Sequence, residues 1–186
     1  MAALVSITVG TVDISVSDAL SALTGNSVNT QTQTILFDIR LPRILLAIAV
    51  GAVLASTGAV MQGLFRNPLA DPSLIGVSSG ASVGASLMIV TAGGFIQSGA
   101  LLGLSLVAVG AFVGGFAATL LVYRLATSGI GTSVTTMLLA GIAIGALSGA
   151  LNSLLSYFSD NDMLRQISLW QMGNLSGASW TKVTIM

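Results

Sequence analysis

The chain has 186 residues, with six basic and six acidic side chains, no net charge and a mean hydropathy of +0.96. Because a soluble domain carries about a quarter charged residues, this composition excludes an ordinary water-soluble protein and predicts one embedded in lipid. The sequence contains no histidine, cysteine or glutamate, which excludes thiolate and imidazole metal sites, disulfides and a nucleophile–histidine pair within it.

The N-terminal part of the chain precedes the long apolar segments. Residues 1–10 are apolar, but ten helical residues rise only about 15 Å against a hydrocarbon core of about 30 Å. We interpret them as the remnant of a first membrane helix; a position at the membrane interface is the alternative. Residues 11–43 are rich in Ser, Thr, Asn and Asp and predict an external loop. Within it, Ser17 or Asp18 is expected to cap a short helix.

Four windows without charged residues follow, at 44–65, 73–92, 99–123 and 134–158. Each has the roughly 20 residues that a membrane-spanning helix needs. A helix also satisfies its backbone polar groups internally, as lipid requires. The sequence therefore predicts an all-α, polytopic transmembrane bundle with a single domain over residues 1–186.

A polar stretch separates the first two windows. Pro68 and Pro72 each lack an N–H and disfavour helix at the preceding residue, so the first helix must stop before them. Asn67 lies at the water boundary, and Asp71 or Ser73 is expected to cap the next helix. Together these residues predict a tight, rigid structural turn.

Small residues recur every four positions within the windows. Such rows let membrane helices approach closely, which is how they associate in lipid. They predict a compact multi-helix bundle. The rows are Gly76, Gly80 and Gly84; Ser78, Ser82 and Ser86; Gly110 and Gly114; Ala111 and Gly115; and Gly141, Gly145 and Gly149.

A short amphipathic helix is predicted at 160–172. Met163, Ile167 and Trp170 share one face at the spacing i, i+4, i+7. Asp160 or Asn161 is expected to cap this helix, and Gly173 is expected to end it. Residues 180–186 are interpreted as the start of the next membrane helix, with Trp180 at the interface.

Four motifs in order resemble the permease family of type II ABC importers for iron-siderophore complexes, heme and vitamin B12. They are DIRLPRILLAIAVGAVLASTGAVMQ, GLFRNPLADPSLIGVSSGAS, LLAGIAIGAL and LWQMGNLSGASW. The second and fourth look most similar to the heme branch. The resemblance implies a ten-helix permease in the bacterial inner membrane, of which this chain is roughly the N-terminal half.

The resemblance also implies partners. These are a second permease subunit, two ABC ATPase subunits that use the ATP, and a periplasmic substrate-binding protein. No cofactor is expected to be bound by this chain itself, and no nucleic acid is expected as a partner. The sequence has no GxxxxGK[ST] phosphate loop, so it is not expected to be an enzyme.

Roles for individual residues follow from the resemblance. Arg40 and Arg43 are expected to face the periplasm and dock glutamates of the binding protein, since guanidinium holds carboxylates bidentately; snorkelling at a helix end is the alternative. Ser133, Thr135 and Thr136 are expected to form a cytoplasmic gate, with helix capping by Thr132 or Ser133 as the alternative. The transport pathway is expected to be lined by Gly141, Gly145, Gly149 and Asn152; a hydrogen bond to a neighbouring helix is the alternative for Asn152. The periplasmic mouth is expected to be formed by Met163, Trp170 and Met172, with packing in the core as the alternative.

The charge distribution bears on orientation and on the energy source. Counting lysine and arginine alone would put Arg40, Arg43, Arg165 and Lys182 on the cytoplasmic side, whereas the resemblance puts them outside; we follow the resemblance. No window carries a charged residue of the kind that ion-coupled carriers place in the membrane. Iron-complex import driven by a separate ATPase is therefore the leading interpretation. The alternatives are half of an ion-coupled carrier or channel, and a non-transporting membrane fragment.

Overall fold

A computed structural model describes residues 2–25, 28–92, 101–129, 131–175 and 177–185, which form α-helices joined by short turns. The helices are α1 (Ala2–Thr8), α2 (Val16–Leu23), α3 (Thr30–Thr34), α4 (Leu41–Phe65), α5 (Val77–Thr91), α6 (Leu101–Ala126), α7 (Val134–Tyr157), α8 (Asn161–Met172) and α9 (Trp180–Ile185). A π-helical segment, Ile35–Arg40, joins α3 to α4, and a 3-10 turn, Pro72–Ile75, precedes α5. Two short antiparallel strands, β1 (Thr127–Ser128) and β2 (Gly131–Thr132), connect α6 to α7, with Thr127 opposite Thr132.

Three helices in the described part of the chain are long and apolar enough to cross a membrane. They are the continuous helix Thr30–Phe65, Leu106–Ala126 within α6, and Val134–Tyr157. The structure thus has α6, α7 and α8 where the sequence predicted 99–123, 134–158 and 160–172. Residues 99 and 100 lie outside the described residues.

The contacts divide the chain into two units, and residues 1–56 with 174–186 form the first. Leu36 and Pro42 are fully buried there, and the Trp180 indole Nε1 donates a hydrogen bond to the Phe37 carbonyl at 2.9 Å. The cap of α2 is Ser15, whose Oγ accepts from the Asp18 N–H at 3.1 Å. The predicted caps, Ser17 and Asp18, lie two and three residues too late, because Ser15 is the residue with extended backbone before the helix.

The loop predicted over 11–43 contains the expected short helix, α2, but the chain is also helical over residues 30–40, where the prediction of a loop was wrong. The helix that the sequence started at residue 44 is continuous from Thr30. Pro42 would normally interrupt such a helix, because its ring clashes with the carbonyl four residues before it. The π-helical segment relieves this: the Leu41 N–H bonds to the Leu36 carbonyl, five residues back, and the widened turn makes room for the proline.

Residues 57–173 form the second unit, in which α5 and α6 pack backbone to backbone. A Cβ added at Gly110 would lie 2.7 Å from the Gly84 carbonyl oxygen, and one added at Gly80 would lie 2.5 Å from the Gly114 carbonyl oxygen. Real Cβ atoms essentially never come so close to another heavy atom, so only glycine permits this approach. The close approach predicted from the glycine rows is present here.

Two apolar clusters form the core of the second unit. One joins α6 to α7 and comprises Ala118, Val122, Ala126, Met137 and Ile144. The other joins α5, α6 and α8 and comprises Ala85, Ile89, Val107 and Ile167.

The predicted span 73–92 is divided at Gly76, so α5 has only 15 residues. Gly76 has φ 77°, a left-handed conformation that glycine adopts without steric cost. It ends the 3-10 turn and starts α5 in a new direction. A Cβ there would also lie 3.3 Å from Ile144 Cγ2 on α7.

Candidate functional site

The turn between α4 and α5 is fixed by two short polar side chains. The Asn67 Oδ1 accepts a hydrogen bond from the Leu69 N–H at 3.0 Å, and the Asp71 Oδ1 accepts one from the Ser73 N–H at 2.8 Å. Hydrogen bonds from the Ser73 side chain and backbone lower the pKa of the Asp71 carboxyl. Pro72 occupies the first turn of the 3-10 segment, where its missing N–H costs nothing, and Pro68 lies in the exposed part of the turn. These contacts make the segment well defined, as the sequence predicted.

The residues predicted as a cytoplasmic gate lie at the start of α7. The Ser133 Oγ accepts a hydrogen bond from the Thr136 N–H at 3.3 Å, so Ser133 caps the helix. Thr135 and Thr136 are exposed in the first turn. The capping alternative is therefore present for Ser133, and the gate stays a prediction for these three residues.

The three glycines of the row on α7 lie in different surroundings. Gly141 is buried, and the Leu74 carbonyl occupies the space where its Cβ would stand. Gly145 is half-buried, with Ser79 Oγ 4.0 Å from its Cβ position, whereas Gly149 is exposed and has no neighbour within 4 Å among the described residues. Gly141 thus allows α7 to pack on the 3-10 turn, while Gly149 lies on an open face.

Asn152 takes part in a small polar cluster. Its Nδ2 donates a hydrogen bond to the Ser82 Oγ on α5 at 3.1 Å, and the Gln171 Nε2 of α8 donates to the same oxygen at 3.3 Å. The Asn152 Oδ1 is buried and accepts no hydrogen bond from any residue that the structure describes. The helix-bonding alternative for Asn152 is therefore present, and its pathway role stays a prediction. Sequence reasoning placed Ser82 in a row of small residues but missed Gln171.

The residues predicted at the periplasmic mouth do not share one environment. Met163 is half-buried and packs against the cluster that contains Ala85 and Ile167. Trp170 is 37% exposed and Met172 is 80% exposed. Met163 therefore has the packing role given above as the alternative, and Trp170 and Met172 offer adaptable apolar surface.

The two arginines of the IRLPR motif differ in their exposure to solvent. Arg40 is 9% exposed, and its guanidinium donates hydrogen bonds to the carbonyls of Ile7 and Val12. Its group points into the first unit, contrary to the expected outward position, because these two carbonyls satisfy its donors. Arg43, three residues later, is exposed. A cavity of about 690 Å³ in this unit is lined by both arginines and mainly by aliphatic side chains of α1, the π-helical segment and α4.

Among the residues that the structure describes, no three Asp side chains are grouped so that they could hold a metal ion.

Comparison with known proteins gives the family. The model of the FecCD transport family matches residues 1–186. This chain belongs to the FecCD transport family.

Relatives within this family include permeases for different cargoes. The chain is 47% identical over 163 residues to the hemin transport system permease of Yersinia pestis, covering 88% of this chain and 48% of that protein. It is 45% identical over 151 residues to the cobalamin import system permease of Halobacterium salinarum, covering 81% and 38% respectively. It is 39% identical over 162 residues to the vitamin B12 import system permease of Klebsiella pneumoniae, covering 87% and 46%. This FecCD chain therefore spans about half the length, or less, of the relatives it matches.

A solved structure supports the fold. An inward-facing metal-chelate type ABC transporter superposes with a TM-score of 0.77 at 35% identity, over 98% of this chain and 52% of that one. The predicted all-α membrane bundle, and its recognition from four motifs, are thereby confirmed. The FecCD chain is a multi-pass protein of the cytoplasmic membrane.

Proposed function

We propose that the protein to which these residues belong is the permease subunit of an ATP-driven ABC importer, and that it moves an iron complex into the cytoplasm. Heme is the favoured cargo and a ferric siderophore the next. The observation that carries the proposal is the match to the FecCD transport family along all 186 residues. The 47% identity to a hemin permease supports heme.

The partners follow from this proposal. A second permease subunit completes the pathway, two separate ABC subunits hydrolyse ATP, and a substrate-binding protein delivers the cargo. The permease itself is not an enzyme and binds no cofactor of its own. A heme passing along this chain would find no histidine or cysteine to coordinate its iron. Its passage would rest on shape and weak contacts, which favours rapid release.

The residue roles are refined by burial. Arg43 is the better docking residue for the binding protein, because it is exposed while the Arg40 guanidinium is turned inward. Thr135 and Thr136 are the exposed hydroxyls available for a gate. Gly149 is the open part of the pathway lining, and Met172 is the exposed part of the mouth.

Reconstituted transport tests the proposal. The full-length permease would be placed in proteoliposomes with its ATPase and binding protein, and uptake of heme, a ferric siderophore and cobalamin would be measured. We expect heme uptake that requires ATP inside the vesicles and the binding protein outside. The 45% identity to a cobalamin permease makes cobalamin the essential competitor in the assay. Uptake that follows a proton or sodium gradient without ATP would instead support an ion-coupled carrier.

Docking can be tested separately. Arg43→Glu should weaken binding of the substrate-binding protein, and more so at low salt, because an attractive charge pair becomes repulsive. Arg124→Glu is the matched control: Arg124 lies in the last turn of α6, and the segment that follows leads to the predicted cytoplasmic gate at Ser133, on the side opposite to the binding protein. Equal affinities for the two variants would remove Arg43 from the docking surface and leave the transport proposal standing.

A further inference from the structure

Three helices of the second unit meet at one hydroxyl group. Ser82 on α5 accepts hydrogen bonds from Asn152 on α7 at 3.1 Å and from Gln171 on α8 at 3.3 Å. Elsewhere α8 is held against α5 by apolar contacts, through the buried Ile167 and the half-buried Met163. The polar contact therefore acts on the C-terminal turn of α8, and the apolar contacts act on the part before it.

The two amide groups at this hydroxyl differ in their access to water. Gln171 is exposed, so water competes for its hydrogen bond and the contact opens easily. Asn152 is half-buried, and its Oδ1 is fully buried without a hydrogen-bond partner among the described residues. A buried carbonyl oxygen without a hydrogen bond favours any donor that can reach it.

We propose that Ser82, Asn152 and Gln171 form a releasable latch for the C-terminal turn of α8. Ser82 and Asn152 are its fixed half, because both lie inside helices that pack against each other, α5 and α7. Gln171 is the half that detaches, and its departure leaves the Ser82 hydroxyl and the amide of Asn152 able to bind another polar group. The exposed side chains of Trp170 and Met172 move with this turn, whereas Ile167 keeps the rest of α8 in place. The latch rests only on the packing of this chain, so the proposal does not depend on which cargo is transported.

Hydrogen exchange of backbone amides tests the latch on the full-length permease in lipid nanodiscs. Gln171→Met removes the hydrogen bond but keeps the length of the side chain, and its exposed position makes misfolding a small risk. We expect exchange at residues 168–172 to rise about two- to tenfold, the effect of one net hydrogen bond. Exchange at residues 163–166 should stay unchanged, because Met163 and Ile167 still pack.

A second variant and a matched control make the result decisive. Ser82→Ala should raise exchange at the same residues, and combining it with Gln171→Met should add nothing further there, because both remove the hydrogen bond between Ser82 and Gln171. The bond to Asn152 that Ser82→Ala also removes does not involve α8. Gln166→Met makes the same chemical change on the same helix outside the cluster and should leave residues 168–172 unaffected. Unchanged exchange in Gln171→Met, additive effects in the double variant, or a uniform rise along α8 would each overturn the latch.

Discussion

The close contact between α5 and α6 provides the sharpest stability prediction. Gly84→Ala places a methyl group where the backbone of Gly110 already lies, with the Gly110 carbonyl carbon only 2.7 Å away. A backbone group cannot rotate aside as a side chain can, so the two helices must separate. Overpacking of this kind costs about 1–3 kcal/mol. The gain in helix propensity from glycine to alanine, about 0.5–1 kcal/mol, offsets part of that cost. We therefore expect a net loss of about 1–2 kcal/mol in the free energy of unfolding.

The matched control for this substitution is Gly149→Ala. Gly149 is also inside a membrane helix, but nothing lies within 4 Å of its Cβ position among the described residues. The free energy of unfolding of Gly149→Ala should rise by the gain in helix propensity alone, about 0.5–1 kcal/mol. Equilibrium unfolding in mixed micelles, with increasing fractions of a denaturing detergent, measures both variants against the unchanged chain. If Gly84→Ala proved at least as stable as Gly149→Ala, the backbone contact between α5 and α6 would not be what holds these helices.

Three further predictions concern polar groups. Asp71→Ala should lower the midpoint of thermal unfolding at neutral pH by removing the cap of the 3-10 turn. The pKa of Asp71 is depressed in the folded chain. The stabilisation by its carboxylate is therefore present above the ordinary pKa of 3.8 and is lost as the pH falls through the folded pKa. Below that pH, thermal melts of the unchanged chain and of Asp71→Ala should coincide. Asn152→Leu should leave the unfolding midpoint unchanged or raise it. The lost hydrogen bond costs about 1 kcal/mol, but the substitution also removes a buried amide oxygen without a partner, whose burial costs about 1–3 kcal/mol. A clear fall in the midpoint would mean that both polar atoms of the amide have hydrogen-bond partners. Arg40→Met should speed amide exchange in residues 5–12 at least tenfold, since hydrogen bonds to charged groups are worth about 1.5–3 kcal/mol each; exchange equal to that of the exposed-site control Arg165→Met would show that Arg40 does not hold this segment.

Features that depend on residue type or local composition were predictable from the sequence. Uncharged windows of sufficient length located α6 and α7, because lipid restricts a spanning segment to helix. Caps also follow from short polar side chains, and Asp71, Ser133 and Asp160 each accept the expected backbone hydrogen bond. The close packing of α5 on α6 followed from glycines spaced by four residues.

Features that depend on distant partners, or on one unusual backbone conformation, were not predictable. Arg40 turns inward because of carbonyls 33 and 28 residues away in the chain, and Gln171 reaches Ser82 across 89 residues. Composition averages over a window, so it does not register that one glycine inside an apolar segment adopts a left-handed conformation, as Gly76 does. The polar residues before Pro42 indicated a loop because a π-helical turn that accommodates a proline leaves no compositional signal.

The division of the second apolar window at Gly76 has a consequence for the surrounding lipid. With 15 residues, α5 is about 22 Å long, several ångströms less than the hydrocarbon thickness of an average bilayer. Where neither the four residues Pro72–Ile75 nor the residues after Ala92 share the crossing, the membrane has to thin around this helix, and such deformation costs a fraction of a kilocalorie per mole for each ångström of hydrophobic mismatch. Acyl-chain length should therefore influence this part of the molecule more strongly than it influences α6 or α7, whose lengths exceed the bilayer core.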